Sequence, residues 1–295
     1  MDYRRRVVVT GASSGVGRAS VQVLSDNGYE VLACVRREDD GAALVAASPG
    51  PIHLLIVDLQ DQHTVEDAAE KVREITGDSG LQGLVNCAGT IFSGPLEYVP
   101  RQQWFSQYDV NLFGTMAFIA AMLPFIRKGT GRIINIGAVG GGLALPFFGV
   151  IASAKIAFAA ANDCLRRELH PWGIRVIIIE PGGINTPAND KMRASAGHFW
   201  AQQDTLAKSR YAAPMEAFTR WAYNMHVRNL TPEQVAAKVL QALIAKHPKT
   251  RYRVGWDSRA AALASRLLPD CVLDRVLLRV ASLPIRFGAL LAKRR

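Results

Sequence analysis

Paired cysteines, clustered metal ligands and long apolar runs are all missing from this sequence of 295 residues. The four cysteines, at positions 34, 87, 164 and 271, show no paired spacing, so we expect neither a disulfide framework nor a zinc site. The six histidines form no ligand pair at helical spacing, and we expect no metal. No secretory pattern opens the chain, and no uninterrupted apolar run reaches the roughly 18 residues of a membrane span. These absences predict a protein of a reducing compartment, the cytoplasm, without a membrane-spanning segment.

Acidic residues are scarce near the C-terminus, which carries most of the net charge of +10. Residues 246–295 hold 12 Lys or Arg and 3 Asp or Glu, whereas the first 245 residues hold 23 and 22. No aromatic-interleaved basic patch accompanies this charge, so we expect no nucleic-acid partner. Apolar residues recur at helical spacing within residues 256–295, which predicts a basic amphipathic extension. The extension either contacts a membrane surface peripherally or covers a lipophilic channel, or it packs on the body of the protein or on another subunit.

Apolar runs alternate with helical patterns over roughly the first 180 residues. The strand-like runs are Val7–Val9, Glu30–Val35, His53–Val57, Gly83–Asn86, Arg132–Gly137 and Ile174–Glu180, with a further candidate at Tyr252–Val254. Helical patterns cover residues 15–27, 39–47, 61–76, 97–127 and 152–170. Continuous apolar strands separated by helices predict a doubly wound, Rossmann-type parallel sheet in a single α/β domain over residues 1–255. In such a sheet the ligand binds at the carboxyl ends of the strands.

The stretch Thr10–Gly17 lies between the first strand and the first helix. Its three glycines allow the backbone to approach a pyrophosphate, and the free N–H groups of the helix start supply an anion site. A plain strand-to-helix turn uses the same residue types. Arg36 and Arg37 follow the second strand, where an NAD site usually places a carboxylate. Paired arginines favour the 2′-phosphate of NADP(H) over NAD(H), unless they are solvated loop residues.

Five motifs in order resemble the short-chain dehydrogenase/reductase family over residues 5–190. They are the T-G-x3-G-x-G turn at Thr10–Gly17, Asp58 at the adenine-contacting position, the turn Asn86–Gly89 with Cys87 for a second asparagine, the N-x-x-G segment Asn111–Gly114, and Pro181-Gly182 with Thr186. The resemblance implies that the cofactor contacts Gly11, Ser13, Ser14, Gly15, Val16, Gly17, Arg36, Arg37, Asp58, Leu59, Asn86, Ala88, Gly89, Lys155, Pro181, Gly182, Ile184 and Thr186. It also implies a proton relay through Asn111 and a homodimer or homotetramer paired through the helices at 97–127 and 152–170. The segment Arg251–Arg279 is loosely similar to the subgroup acting on lipophilic alcohols such as retinoids and steroids.

Two reactive hydroxyl groups of that family have no counterpart in this sequence. In the family a tyrosine protonates the developing alkoxide, a serine orients the carbonyl, and a lysine lowers the tyrosine pKa while it holds the ribose. Lys155 is present here, but Ile151 occupies the tyrosine position and Ala138 the serine position. Ser153 is no direct replacement, because two residues along a helix turn it about 200° away from Ile151. Losing general-acid help typically costs about 10²–10⁴ in rate.

Residues 183–230 lack strand periodicity and are predicted to form a helical substrate lid. Their aromatic and histidine side chains are His198, Phe199, Trp200, Tyr211, Phe218, Trp221, Tyr223 and His226. These side chains either enclose a bulky apolar ligand or only pack the lid onto the body.

Together the motifs predict an NADP(H)-dependent reductase of atypical mechanism acting on a bulky apolar substrate. An imine, an iminium or a conjugated acceptor is favoured over a simple ketone, because hydride can reach such a group without a protein acid neutralising an alkoxide. The alternatives are a non-redox cofactor-binding protein, a catalyst repurposed on the same fold, or a substituted variant of an ordinary carbonyl reductase.

Overall fold

The computed structural model describes residues 5–138, 143–227, 229–281 and 283, without the side chains of residues 226 and 227. The strands are β1 (Arg5–Thr10), β2 (Tyr29–Val35), β3 (Ile52–Ile56), β4 (Gly83–Asn86), β5 (Arg132–Ile136), β6 (Arg175–Pro181) and β7 (Arg251–Val254). They form one parallel sheet in the order β3-β2-β1-β4-β5-β6-β7. This order reverses direction between β1 and β4, which confirms the doubly wound, single-domain α/β fold predicted from the apolar runs.

Eleven α-helices connect and cover these strands within the described residues. They are α1 (Gly15–Asp26), α2 (Glu38–Ala47), α3 (Gln62–Thr76), α4 (Arg101–Tyr108), α5 (Gly114–Gly129), α6 (Gly149–Glu168), α7 (Ala188–Ala201), α8 (Thr205–Val227), α9 (Pro232–Ile244), α10 (Trp256–Leu267) and α11 (Asp270–Val280). The helix predicted over 97–127 is divided: a 3₁₀ turn, Leu96–Tyr98, precedes Pro100, and a π-helical turn, Asp109–Phe113, separates α4 from α5. Pro100 and the π-helical turn both change the backbone hydrogen bonding of the segment. The spacing of apolar residues does not reveal such changes.

Alternate residues of the central strands enter two hydrophobic cores. On β1, Val7 and Val9 pack into the core that includes residues of α1 and α9, whereas Val8 packs into the core that includes residues of α3 and α5. All three side chains are fully buried. Burial on both faces explains why β1 is continuously apolar and not alternating.

One helical segment of the described chain, Arg101–Gly129, is long and apolar enough to cross a membrane by length and composition alone. Its residues Phe118, Met122 and Ile126 are buried in the core that packs against the sheet. The segment therefore also fits the role of a core helix in an α/β domain.

A third hydrophobic core joins the predicted lid to the C-terminal extension. Phe218 of α8 and Met192 of α7 pack there with Phe147, which precedes α6. Ala281 and Leu283, which follow α11, are buried in the same core. The described part of the extension therefore packs on the body at both ends, through the buried Ser258 and Ala262 of α10 and through residues 281 and 283. Residue 282 and residues 284–295, to which the prediction of a basic extension also applied, lie outside the described residues.

Candidate active site

The carboxyl ends of β1 and β4 lie side by side at the point where the strand order reverses. Thr10, the last residue of β1, accepts hydrogen bonds at its Oγ1 from the backbone N–H groups of Cys87 and Ala88, each at 3.1 Å. The loops after the two strands are therefore tied together. This is the crevice in which doubly wound sheets bind their ligands.

The glycines of the first loop are required by close backbone packing. Gly11 has φ +65°, and a Cβ added there would lie 2.9 Å from the Cα of Ala88. A Cβ on Gly17 would lie 2.0 Å from the carbonyl oxygen of Gly11, so α1 packs directly on the turn. Ser14 precedes α1 without capping it through its side chain, and both Ser13 and Ser14 are exposed. The open N-terminus of α1 and these hydroxyls form a surface able to bind phosphate.

The two arginines after β2 differ in their surroundings. Arg37 is paired with Asp40, with 3.0 Å between Nη2 and Oδ1, and this hydrogen bond lowers the pKa of the Asp40 carboxyl. Smaller charge effects from Arg36 and Lys191 act in the same direction. Arg36 is exposed and makes no ion pair with the described residues. Arg36 is therefore the arginine available for a 2′-phosphate.

Asp58 and its neighbours form the rim of the crevice after β3. The Oδ1 atom of Asp58 accepts a hydrogen bond from the backbone N–H of Gln60 at 3.0 Å, and the hydroxyl of Thr64 donates to its carbonyl oxygen at 2.9 Å. Leu59 is buried, and a Cβ on Gly114 would lie 2.0 Å from its carbonyl oxygen. The glycine of the N-x-x-G segment thus allows α5 to pack against this rim.

A row of three buried asparagines runs beneath the crevice. The amide of Asn86 donates to Asn135 at 2.8 Å, and that of Asn135 donates to Asn162 at 2.9 Å. The side chain of Asn86 therefore joins β4 to β5, and that of Asn135 joins β5 to α6. Sequence reasoning missed Asn135 and Asn162, although a polar residue inside the apolar run of β5 was a usable signal.

Asn111 lies in the π-helical turn between α4 and α5. Its side-chain amide donates to the carbonyl oxygens of Thr90 and Gln107, at 3.0 and 2.8 Å. A Cβ added to Gly89 would lie 3.0 Å from Asn111 Oδ1 and 3.8 Å from Lys155 Nζ. The structure thus brings together Gly89, Asn111 and Lys155, which are far apart in the sequence.

Lys155 extends from α6 toward the end of β5. Its Nζ donates a hydrogen bond to the carbonyl oxygen of Ile136 at 3.1 Å and lies 5.7 Å from the ring centre of Phe158. Burial lowers the pKa of Lys155 from 10.5 to about 8. Burial also raises the pKa of the Cys87 thiol to about 12, so this neighbour stays neutral at physiological pH. Lys155 is therefore a cation in an environment that weakens its hold on the proton.

Ile151 lies one helical turn before Lys155 on α6, and Ala138 lies two residues after Ile136, whose carbonyl oxygen accepts the hydrogen bond from Lys155. Ile151 is partly buried in the first turns of α6, and Ala138 is exposed just after β5. Neither side chain has a donor or an acceptor. The hydroxyl of Ser153 donates to the carbonyl oxygen of Val150 at 2.9 Å, so it is used within its own helix.

The loop after β6 closes the other side of the crevice. Pro181 is buried at the end of the strand, and Ile184 forms a parallel bridge with Leu230. A Cβ on Gly15 would lie 3.2 Å from the Cγ2 atom of Thr186. The predicted nicotinamide-side segment therefore meets the glycine turn.

The aromatic residues of the lid mostly pack it onto the body. The ring of Phe218 lies 5.4 Å from that of Phe147 and 5.0 Å from that of Phe148, and Phe199 lies 5.6 Å from Phe92. By contrast, Trp221, Met225 and Trp256 line an open groove of about 400 Å³ between α8 and the start of α10. The side chain of His226 lies outside the described residues.

Asp257, at the start of α10, is a site residue that sequence reasoning missed. Its carboxylate accepts hydrogen bonds from the backbone N–H of Gly183 and from the side chain of Asn229. Its partners are distant in the sequence, and no motif marks it.

The described residues hold no group of three or more His, Cys, Asp or Glu able to bind a metal ion, and all four cysteines are free.

Comparisons with known proteins agree with this geometry. The family model for short chain dehydrogenase matches residues 5–197. The chain is 32% identical over 277 residues to an NADPH-dependent 3-dehydrocapnine reductase from Ornithobacterium rhinotracheale, covering 92% of this chain and 95% of the relative. It is 34% identical over 273 residues to a 3-amino-tetrahydro-pyrrolizinone reductase from Xenorhabdus hominickii, with 92% and 94% covered. Human retinol dehydrogenase 5 is 33% identical over 287 residues, with 94% and 89% covered.

A solved structure supports the fold alone. The crystal structure of a short chain dehydrogenase from Burkholderia cenocepacia in complex with NADP aligns with a TM-score of 0.71 at 22% identity, covering 94% of this chain and 99% of that one. The family match spans more than half of the chain, and the relatives cover nearly all of it. The chain therefore belongs to the short-chain dehydrogenase/reductase family and is an oxidoreductase of that type.

Proposed function

We propose that the protein is an NADP(H)-dependent reductase that acts on a bulky apolar imine, iminium or conjugated acceptor in preference to a simple ketone. One observation supports this choice above all: Lys155 is in place, while Ile151 and Ala138 carry no proton to give. When bound, the nicotinamide supplies the hydride. The remaining chemistry depends on which groups of the chain can bind, orient or donate a proton.

A ketone makes the heaviest demand on a protein acid. Its reduction leaves an alkoxide, and general-acid help there is worth about 10²–10⁴ in rate. An iminium becomes a neutral amine and needs no proton at that step. A neutral imine needs one, and the Lys155 ammonium, with its pKa near 8, is well matched to give it at neutral pH.

The residues of the crevice fit the phosphates of NADP(H). A side chain added at Gly11 would clash with Ala88, and one added at Gly17 would clash with the Gly11 carbonyl oxygen. These positions therefore require glycine, and we expect the backbone of the turn to bind the phosphates. Arg36, directly after β2, supplies a cation that makes no ion pair with the described residues. The printed name of the relative from Ornithobacterium rhinotracheale, an NADPH-dependent reductase, supports the same cofactor.

Calorimetric titration with NADPH and NADH tests the cofactor assignment. We expect Arg36→Ser to weaken NADPH binding by about 10- to 100-fold, because a hydrogen bond to a charged group is worth about 1.5–3 kcal/mol. NADH binding should change little. The matched control is Arg37→Ser, which should have a smaller effect because Arg37 is paired with Asp40. Tighter binding of NADH by the unmodified protein would contradict the proposal.

We also propose that the protein is cytoplasmic, with its C-terminal extension in peripheral contact with an anionic membrane surface. No residue of α11 is buried, and Val272, Val276 and Val280 form an exposed apolar row one turn apart. Trp256, at the start of α10, is 70% exposed. Residues 256–295 hold eight Lys or Arg and three Asp or Glu, which favours anionic lipid.

The homodimer or homotetramer implied by the family resemblance stays a prediction. Its support is a set of exposed apolar side chains on the helices concerned: Phe105 on α4, Phe113 at the end of the π-helical turn and Ile156 on α6. Large apolar side chains exposed on neighbouring helices favour association.

A further inference from the structure

The lid begins and ends at neighbouring points of the fold. The backbone N–H of Leu230 donates to the carbonyl oxygen of Gly183 at 3.0 Å, and that of Asn185 donates to the carbonyl oxygen of Leu230 at 2.9 Å. The two ends of the lid, which we call its roots, are therefore the backbone around Gly183 and the backbone at 229–230.

One carboxylate binds both roots. The Oδ2 atom of Asp257 accepts a hydrogen bond from the backbone N–H of Gly183 at 2.8 Å and from the Nδ2 atom of Asn229 at 2.5 Å. Its Oδ1 atom accepts from the backbone N–H of Ser258 at 2.9 Å. Hydrogen bonds to an ionised acceptor are about twice as strong as neutral ones, so these contacts hold the roots firmly.

The surrounding backbone leaves space for this carboxylate. A Cβ on Gly182 would lie 1.9 Å from Asp257 Oδ1, and a Cβ on Gly255, which has φ +96°, would lie 2.5 Å from the same atom. Two glycines from different parts of the chain thus enclose one side chain. Gly182 belongs to the P-G motif that the family resemblance places beside the nicotinamide.

The helix that carries Asp257 is itself fixed to the sheet. The hydroxyl of Ser258 donates to the carbonyl oxygen of Glu180 at 2.8 Å. The backbone N–H of Gly182 donates to the carbonyl oxygen of Val254 at 2.9 Å. The first turn of α10 is therefore a rigid support next to the end of β6. The same helix is the first element of the C-terminal extension.

We propose that Asp257 is the positioning residue of the lid. By binding both roots of the lid, it fixes the position of the lid relative to the loop on the nicotinamide side of the crevice. The proposal rests on the proposed function, in that the lid encloses the substrate of the reductase. It makes α10 the element through which the C-terminal extension sets the position of the lid.

The test compares Asp257→Ala with the conservative variant Asp257→Asn. In Asp257→Ala the N–H of Gly183 and the side chain of Asn229 both lose their acceptor, because both donate to Oδ2. In Asp257→Asn the amide oxygen, with its two lone pairs, can accept from both donors in place of Oδ2, while the charge is lost and the amide nitrogen faces the N–H of Ser258. Asp274→Ala, at an exposed position of α11, is the control for a lost carboxylate.

Hydrogen exchange of the cofactor-free full chain is the first readout, since it needs no substrate and stands even if the proposed substrate class is wrong. We expect Asp257→Ala to speed exchange in α7 and α8 by about tenfold or more while β1 and β4 keep their protection. With a substrate that the enzyme reduces, KM should rise more than kcat falls. Asp257→Asn should recover much of both readouts, because it keeps an acceptor for both roots, and Asp274→Ala should leave both unchanged.

Three results would overturn the proposal. One is an Asp257→Ala variant with unchanged exchange in α7 and α8. Another is equal loss of protection in the sheet, which would make Asp257 a general structural residue. The third is an Asp257→Asn variant that recovers nothing relative to Asp257→Ala.

Discussion

Replacing Lys155 with methionine should stabilise the cofactor-free protein at neutral pH. The substitution removes a buried ammonium group whose pKa the fold lowers from 10.5 to about 8. It also removes one hydrogen bond, from Nζ to the carbonyl oxygen of Ile136 at 3.1 Å. The two effects oppose each other, and their sizes decide the outcome.

The electrostatic effect is the larger one. A shift of about 2.5 pKa units corresponds to roughly 3.4 kcal/mol, at about 1.36 kcal/mol per unit. The lost hydrogen bond costs about 1 kcal/mol, which leaves a net gain of about 2 kcal/mol. Because the folded pKa is the lower one, the charged lysine destabilises the fold fully below pH 8. That cost shrinks as the pH rises from about 8 toward 10.5, where the unfolded chain also loses the proton.

Urea unfolding at several pH values measures this directly. The free energy of unfolding of Lys155→Met should exceed that of the unmodified protein by about 2 kcal/mol at pH 7, and the gap should close and reverse sign by about pH 10.5. Lys71→Met, at an exposed position of α3, is the control and should show no such dependence. A Lys155→Met variant that is less stable at pH 7, or a gap that stays constant to pH 10, would refute the reasoning.

Two further predictions address the turn and the extension. Gly17→Ala should destabilise the fold by at least about 1–3 kcal/mol, because its Cβ would lie 2.0 Å from the Gly11 carbonyl oxygen, whereas Gly197→Ala, with open space inside α7, should gain up to about 1 kcal/mol in thermal unfolding. Equal effects of the two substitutions would contradict the packing argument. The protein should co-sediment with anionic vesicles at low salt, less so at high salt, and less with Val276→Asp. Protein that stays in the supernatant at low salt would contradict membrane contact.

The sheet could be predicted from sequence because its signals are local. Gly83–Asn86 is both the predicted run and the observed β4, and the capping box at the start of α9 likewise joins residues only three positions apart, Thr231 and Gln234. The glycine turn was equally visible, since the requirement for glycine arises within a few residues.

Contacts between site residues that are far apart in the sequence could not be predicted from local sequence patterns. Asp257 binds Gly183, 74 positions away, and no periodicity indicates such a pair. Ala281 and Leu283 enter the core of the lid only because the whole chain has folded. The lowered pKa of Lys155 likewise depends on burial, which the sequence alone does not give.

The lack of a hydroxyl group at positions 138 and 151, by contrast, can be read directly from the sequence. Ile151 and Ala138 stand out only against the family's pattern, and the structure adds that Ser153 is used within its own helix. The unusual feature of the site is therefore a prediction from the sequence, and the structure describes the residues around it.

Single-turnover oxidation of NADPH, measured with a bulky cyclic imine and with the ketone of matching shape, tests the central claim most directly. The account predicts that the unmodified protein reduces the imine and leaves the ketone essentially unreacted. The paired substitution Ala138→Ser with Ile151→Tyr should bring in ketone reduction, because it supplies the absent orienting group and acid. Reduction of the ketone by the unmodified protein at about 1–10³ s⁻¹, the ordinary enzymatic range, would contradict the account.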